Sequence, residues 1–211
     1  MEREILSKAI IQLNKICKKI ADRYVLKNIN LDIYNEDITV ITGHNGAGKS
    51  TLLKLLARLS RATSGTITYQ DENLIKKSGF IFQKPIFLNR SVRGNLLHAL
   101  SCAGKKHTIA EDLITKNLTH YNLMHIADLS AMKLSSGEQQ LISFIRSILL
   151  NPKILFLDEP TSNLDKNYTN IINQEILKLS KNIKIIIVSQ SIDQIKKFTD
   201  NPIAMEEGKI I

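Results

Sequence analysis

The 211-residue chain is long enough for one domain with a sizeable core, and its 43% hydrophobic and 23% charged content is ordinary for a soluble globular protein. The longest apolar run, at 183–188, is far shorter than the roughly 18 to 20 residues that span a bilayer, and the alternating charges of residues 1–4 do not open a secretion signal. We therefore expect a cytosolic chain. The net charge of +9 comes with scattered lysines and no interleaved aromatics, which favours a solvated surface over nucleic-acid binding.

From about residue 9 to 83, the apolar pattern indicates short alternating strands, with a strand at 37–42, a helix at 52–59 and a strand at 66–69. Between that first strand and the helix lies a complete G-x-x-x-x-G-K-[ST] motif. It consists of Gly43, His44, Asn45, Gly46, Ala47, Gly48, Lys49, Ser50 and Thr51. Glycine N–H groups and a helix N-terminus can surround a phosphate chain, and a lysine there contacts the β- and γ-phosphates. The segment predicts a nucleoside triphosphate site.

Residues 153–160 form a second informative segment, an apolar strand that ends in two carboxylates, Asp158 and Glu159. In a parallel sheet both carboxylates would lie at the C-terminal edge beside the phosphate loop. Asp158 would then hold Mg²⁺ through water, with Ser50 as a direct ligand. Glu159 would polarise the attacking water as general base.

Residues 133–140 open a long helical run with Ser135, Ser136 and Gly137. Taken alone, this turn is a good helix N-cap. It also combines a hydroxyl, backbone N–H groups and a helix dipole, which suit an anion. One chain has no use for a second phosphate cradle far from its first. Two copies arranged head to tail would each use Ser135 to cap the triphosphate of the other.

Together these segments resemble the ATP-binding cassette (ABC) ATPase family over almost the whole chain. The matching motifs are the Walker A loop at 43–51, the Q-loop at 80–85, the LSGGQ signature at 134–138, the Walker B strand at 154–159 and the D-loop at 162–165. The resemblance implies that Gln83 senses Mg²⁺ and the partner. It also implies that Asp165, with the signature residues, reaches across to an opposing subunit.

The resemblance implies an α/β fold, namely a RecA-like P-loop NTPase core with an N-terminal antiparallel β subdomain and an inserted α-helical subdomain. The single domain would divide into a core at 1–83 and 150–211 and a helical lobe at 84–149. The implied role is that of an ATP-hydrolysing motor subunit on the inner face of the cell membrane. Its partners would be a second, identical ATPase subunit, separate transmembrane permease chains and a solute-binding protein. The Q-loop region and the C-terminus look like those of small oxyanion importers (tungstate, molybdate or phosphate).

Three departures from the family pattern stand out. Gln190 replaces the histidine that hydrogen-bonds the γ-phosphate; its amide can donate but carries no charge, which predicts slow hydrolysis. Ile20 replaces the aromatic residue that stacks on adenine, which predicts modest ATP affinity and weak base discrimination, while Tyr24 is expected in the core. The signature carries Ser136, Glu138 and Leu141 where glycine, glutamine and arginine are usual, changes expected to tune the dimer.

Two other functions stay open at this point: a soluble ABC ATPase acting on nucleic acid or ribosomes, and a regulatory nucleotide-binding half of a heterodimer, which Gln190 makes plausible. A group of side chains after Gln83 fits equally well with permease contact and with packing inside the helical lobe. The group consists of Phe87, Leu88, Arg90, Val92 and Leu96.

Overall fold

The computed structural model describes residues 8–35, 38–162 and 164–211. The opening residues, Asp37 of the strand expected at 37–42 and Asn163 of the D-loop lie outside the described residues. The described elements are β1 (Ile11–Ile20), β2 (Arg23–Ile33), β3 (Ile38–Thr42), α1 (Lys49–Leu56), β4 (Ser64–Tyr69), α2 (Glu72–Lys76), β5 (Ser78–Ile81), α3 (Val92–Cys102), α4 (His107–His120), α5 (Ser136–Ile148), β6 (Ile154–Asp158), α6 (Lys166–Leu179), β7 (Lys184–Val188), α7 (Ile192–Phe198), β8 (Ile203–Glu206) and β9 (Lys209–Ile210). Two short 3₁₀ helices lie between α4 and α5.

A six-stranded sheet with the order β5-β6-β7-β3-β8-β9 forms the centre of the molecule. All its neighbouring pairs are parallel except β8 and β9. Every residue of β6 and β7 is buried, which explains why these strands read as continuous apolar runs rather than alternating ones. Because parallel strands share one C-terminal edge, the ends of β3, β6 and β7 meet there, and that edge carries the phosphate loop and both carboxylates.

A second, antiparallel sheet with the order β2-β1-β4 packs against the central sheet through an apolar cluster on one face. Its first two strands have 10 and 11 residues, longer than the short strands expected from the pattern. Tyr24 was expected in the core, and that expectation was wrong: its side chain is 46% exposed. Tyr24 pairs with Lys19 next to the hairpin turn, and the Lys19 ammonium lies 4.5 Å from the centre of its ring.

The helices α3, α4 and α5 lie between residues 84 and 149 and share one apolar core with a face of the central sheet. Within the group left open after Gln83, Val92 and Leu96 are fully buried and therefore serve packing. Leu88 is 42% exposed, and Phe87 is partly buried under the Arg146 guanidinium. The division of the domain into a core and a helical lobe stays a proposal. Among the described residues, no helix combines the length and the apolar character needed to cross a membrane.

Candidate active site

The loop between β3 and α1 is held in a conformation that depends on glycine. Gly43 has φ +143°, and a Cβ there would lie 2.1 Å from the carbonyl oxygen of Met205 in β8. Gly48 has φ +100° and forms the N-cap of α1, so the helix begins at Lys49, three residues before the expected start. Left-handed backbone at both positions excludes most other residues. The local sequence thus aims the first N–H groups of α1 into the loop, where a phosphate would accept them.

The side chain of Lys49 folds back into the phosphate loop. Its side chain is buried, and Nζ donates a hydrogen bond to the carbonyl oxygen of His44 at 2.9 Å. Desolvation lowers the pKa of Lys49, and the carboxylates of Glu159 and Asp158 oppose that shift. Within the described part of the chain the ammonium has a backbone acceptor and no carboxylate within ion-pair distance, so a phosphate entering the loop would add a direct counter-charge.

Ser50 and Asp158 meet although 108 residues separate them. The Ser50 hydroxyl donates to Oδ1 of Asp158 at 2.7 Å. Burial raises the pKa of Asp158, and the hydrogen bond from Ser50 is the largest opposing influence. A hydroxyl and a carboxylate are the hard oxygen donors that Mg²⁺ prefers, and a buried carboxylate gains from a nearby cation. The two residues therefore fit a magnesium site completed by phosphate oxygens and water.

Glu159 follows Asp158 and is held at both carboxylate oxygens. Gln83 donates from Nε2 to Oε2 at 2.9 Å, and Gln190 donates from Nε2 to Oε1. The same Gln190 nitrogen donates to Oδ1 of Asn45 in the phosphate loop at 2.8 Å. Glu159 has φ +46°, and its N–H donates to the carbonyl oxygen of Val188 in β7. Two segments far apart in sequence thus hold the Glu159 carboxylate directly, through Gln83 and Gln190, and a third holds Gln190 through Asn45.

These groups surround a cavity of about 200 Å³ beside the phosphate loop. Its lining consists of Val25, Asn45, Gly46, Gly48, Lys49, Ser50, Thr51, Gln83 and Glu159. Val25 was not singled out from the sequence, and an aliphatic residue in a long strand gives no local signal for this role. Ile20 ends β1 with 56% of its side chain exposed and is not among the lining residues. Its apolar contact with a base stays a proposal.

The signature residues form the first turn of α5 and do not line that cavity. Ser135 is the N-cap, and its N–H and hydroxyl donate to Oε2 of Glu138 at 2.8 and 2.6 Å. The Glu138 N–H donates back to the Ser135 hydroxyl at 3.3 Å, which completes a capping box. The serine-to-glutamate spacing in residues 135–138 is the sequence signal for this motif, and it was not used in the prediction.

Two further contacts join the signature to the D-loop. A Cβ on Gly137 would lie 2.4 Å from Cδ2 of Tyr168, so the tyrosine ring covers this glycine. Asp165 is the N-cap of α6 and accepts from the N–H of Tyr168 at 2.9 Å. Ser136 keeps a negative φ in the first turn of α5, as its tolerance at a glycine position requires. Ser135, Ser136 and Asp165 are exposed, whereas Gly137 is buried under the Tyr168 ring. The contact of all four with a second subunit stays a proposal.

Comparison with known proteins gives one consistent result. A family model described as "ABC transporter" matches residues 26–162. The chain is 34% identical over 209 residues to the phosphate import ATP-binding protein PstB of Mycoplasmoides gallisepticum. That match covers 90% of this chain and 64% of the relative, so the chain spans less than two thirds of that protein. The tungstate uptake system ATP-binding protein TupC of Peptoclostridium acidaminophilum is 30% identical, with 95% and 96% of the two chains covered.

Solved structures show the same relationship. The structure of cbiO1 from Clostridium perfringens, part of the ABC transporter complex cbiONQ, has 26% identity and a TM-score of 0.78, with 97% of this chain and 88% of that chain covered. A dimeric bacterial ABC transporter cassette has 25% identity and a TM-score of 0.82, with 95% and 96% covered. The predicted P-loop NTPase fold with an antiparallel β subdomain is confirmed. The chain belongs to the ABC transporter family as an ATP-binding cassette ATPase.

Proposed function

We propose that this chain is the ATP-hydrolysing motor subunit of a membrane importer for a small oxyanion. The observation that carries the proposal is that Lys49, Ser50 and Glu159 line one cavity and that Asp158 accepts a hydrogen bond from Ser50, which combines phosphate binding, magnesium binding and a base. The oxyanion class rests on relatives named for phosphate import and tungstate uptake. A methionine import relative is also similar, at 29% identity, so the relatives do not agree on one cargo. The oxyanion cargo is therefore proposed separately from the ATPase activity.

Each side chain has a defined task in this proposal. The glycine-rich loop and Lys49 bind the phosphate chain, and Ser50, Asp158 and Gln83 hold Mg²⁺, which neutralises charge on the phosphates when bound. Glu159 takes the proton of the attacking water, and hydrogen bonds from Gln83 and Gln190 fix the direction of its carboxylate.

The site is proposed to be completed by a second, identical chain. Ser135, Ser136 and Asp165 are exposed, and neither they nor Gly137 line the cavity of their own chain, so a head-to-tail pair would bring this region to the partner's nucleotide. Separate permease chains would carry the cargo across the membrane, with this subunit on the inner face and a solute-binding protein delivering the cargo. Exposed Leu88 and Arg90 are proposed contacts for the permease.

The catalytic part is tested by phosphate release from Mg²⁺-ATP by the purified chain, alone and with co-expressed products of neighbouring genes. Glu159→Gln should abolish turnover and preserve ATP binding, because the amide keeps the shape but cannot accept a proton. Asp112→Asn, an exposed change of equal charge on α4, serves as the control. Turnover retained by Glu159→Gln would contradict the assignment of the base.

The cargo is tested separately by uptake of labelled phosphate, molybdate and tungstate in cells with and without the gene. Loss of uptake of one of these anions supports the oxyanion assignment. Parental uptake of all three would refute it while leaving the ATPase assignment intact. The cheapest supporting observation is a permease and a solute-binding protein encoded beside the gene.

Base selectivity gives a further check on the site. Val25 is an aliphatic residue at the cavity, and Ile20 stands at the position where the family stacks an aromatic side chain on adenine. Neither side chain can hydrogen-bond a base edge or stack as an aromatic ring does. We expect ATP and GTP affinities within about tenfold of each other, or about 1.4 kcal/mol. Titration with fluorescent analogues of both nucleotides measures this, and a GTP affinity far below that for ATP would contradict it.

A second candidate function is the regulatory half of a heterodimer, which Gln190 favours. Gln190 and Gln83 donate hydrogen bonds to both oxygens of Glu159, and Gln190 cannot relay a proton. A chain that binds ATP and dimerises, yet hydrolyses it only beside a different cassette subunit, would select this function over the homodimeric motor.

A further inference from the structure

The signature turn of this chain already holds an anion of its own. Ser135 donates both its N–H and its hydroxyl to one oxygen of Glu138, at 2.8 and 2.6 Å. Hydrogen bonds to a carboxylate are about twice as strong as those between neutral groups. The partial positive charge at the start of α5 favours the same carboxylate. Both Ser135 donors and the helix dipole are therefore already directed at Glu138.

Neighbouring groups also hinder the approach of a phosphate to the turn. The Tyr168 ring lies against Gly137 and closes one side of it. The Glu138 N–H is engaged with the Ser135 hydroxyl. Negative charge also gathers here, since after desolvation the carboxylates of Glu138 and Asp165 raise the pKa of Tyr168, and a hydrogen bond with Ser135 opposes that rise. A phosphate approaching from outside would meet two carboxylates and donors that are already in use.

We propose that Glu138 competes with the phosphate of the partner's nucleotide for Ser135, and so raises the ATP concentration at which two chains join. This inference rests on the proposed two-chain site. For the site to close, the Glu138 side chain must leave Ser135 and turn to solvent, which its half-buried position allows. A neutral glutamine at the same place releases Ser135 more readily and does not repel the phosphate.

A purely structural role for Glu138 predicts a different result. Glutamine also completes a capping box, so Glu138→Gln should keep the start of α5 ordered. If Glu138 only supported the helix, this replacement would leave ATP-dependent association unchanged. A fall in the ATP concentration needed for association therefore separates the two roles.

The experiment uses the full chain with Glu159→Gln in every variant, so that ATP is not consumed. Sedimentation velocity measures the dimer fraction as Mg²⁺-ATP increases. Adding Glu138→Gln should lower the half-maximal ATP concentration by about tenfold, the size expected when one charge-assisted contact no longer competes. The control is Asp112→Asn, which removes the same charge from an exposed site in the same helical region and should leave the curve unchanged.

Adding Ser135→Ala to the Glu138→Gln variant should return the half-maximal ATP concentration to the parental value, because the lowering depends on the Ser135 hydroxyl that Glu138 releases. If Glu138→Gln requires as much ATP as the parent, or more, the competition is refuted and the two-chain site stands. If no variant dimerises although each binds ATP, the two-chain site itself is refuted, and the inference with it.

Discussion

Gln190 offers the sharpest test of how this site works. Its Nε2 donates to Oε1 of Glu159 and to Oδ1 of Asn45, so one amide joins the base to the phosphate loop. A hydrogen bond to a charged group contributes about 1.5 to 3 kcal/mol, and each 1.36 kcal/mol in a barrier is a factor of ten in rate. Gln190→Ala would thus reduce kcat by about ten- to a hundredfold. Because Gln83 still holds the other oxygen, we expect about tenfold.

Gln190→His should act in the other direction in the assembled complex. Loss of one preorganised donor to a developing charge costs about 3 kcal/mol in other enzymes, or about a hundredfold in rate, and the glutamine amide retains part of that interaction. A histidine, which can also carry charge, should therefore raise kcat by about tenfold.

Phosphate release at saturating Mg²⁺-ATP gives kcat for each variant, and nucleotide titration confirms that binding is unchanged. Gln12→Ala and Gln12→His are matched controls, since Gln12 is an exposed residue of β1 that bonds Asp32 at the surface. A kcat of Gln190→Ala within about twofold of the parent would refute the positioning of Glu159 by this amide. A Gln190→His variant with no gain would refute the account of slow hydrolysis.

Three further predictions concern stability. Gly43→Ala should lower Tm and abolish ATP binding, because its Cβ would meet the Met205 carbonyl oxygen at 2.1 Å with φ at +143°; a binding-competent variant would contradict this. Asp158→Asn should raise the Tm of the nucleotide-free protein at about pH 7 and abolish Mg²⁺-dependent hydrolysis. Burial raises the pKa of Asp158 in the folded state, so the protein loses stability as the pH rises from the unfolded-state pKa through the folded-state pKa. The neutral amide of asparagine removes that loss. An unchanged pH dependence of Tm between the two proteins would contradict it. Asn173→Ala should lower the free energy of unfolding by about 1 to 3 kcal/mol, because the buried Gln194 amide, 2.7 Å from the Asn173 oxygen, would lose an acceptor; urea denaturation measures the change, and a loss below about 0.5 kcal/mol would contradict it.

Prediction from sequence was most reliable where the physics is local. The strand, loop and helix around 43–51 form one contiguous unit, and its glycines and lysine act within a few residues of each other. The helix nevertheless begins at Lys49 rather than at 52, because Gly48 takes a left-handed conformation that makes it the N-cap. The apolar runs that became β6 and β7 were equally clear, since a strand buried on both faces needs no alternation.

Prediction from sequence was wrong or undecided for residues whose burial depends on contacts with distant segments of the chain. Tyr24 reads as a core residue, yet the β1–β2 hairpin places it beside the turn, where it is half exposed. Val92 and Leu96 are indistinguishable in sequence from a docking surface, and only the packing of α3 shows that they are fully buried. The capping box at residues 135–138 is the exception, because its spacing was readable and was overlooked.

The sequence by itself determined the family motifs, the phosphate loop and several of the strands and helices, because each depends on short-range patterns. Only the tertiary structure decided which atoms of the predicted site residues bond to one another. Ser50 meets Asp158 across 108 residues, and Gln190 meets Asn45 across 145, because parallel strands deliver their C-terminal ends to one edge of the sheet. The structure also decided that Glu138 uses a single carboxylate oxygen to accept from both the N–H and the hydroxyl of Ser135, a detail beyond what the capping-box spacing gives.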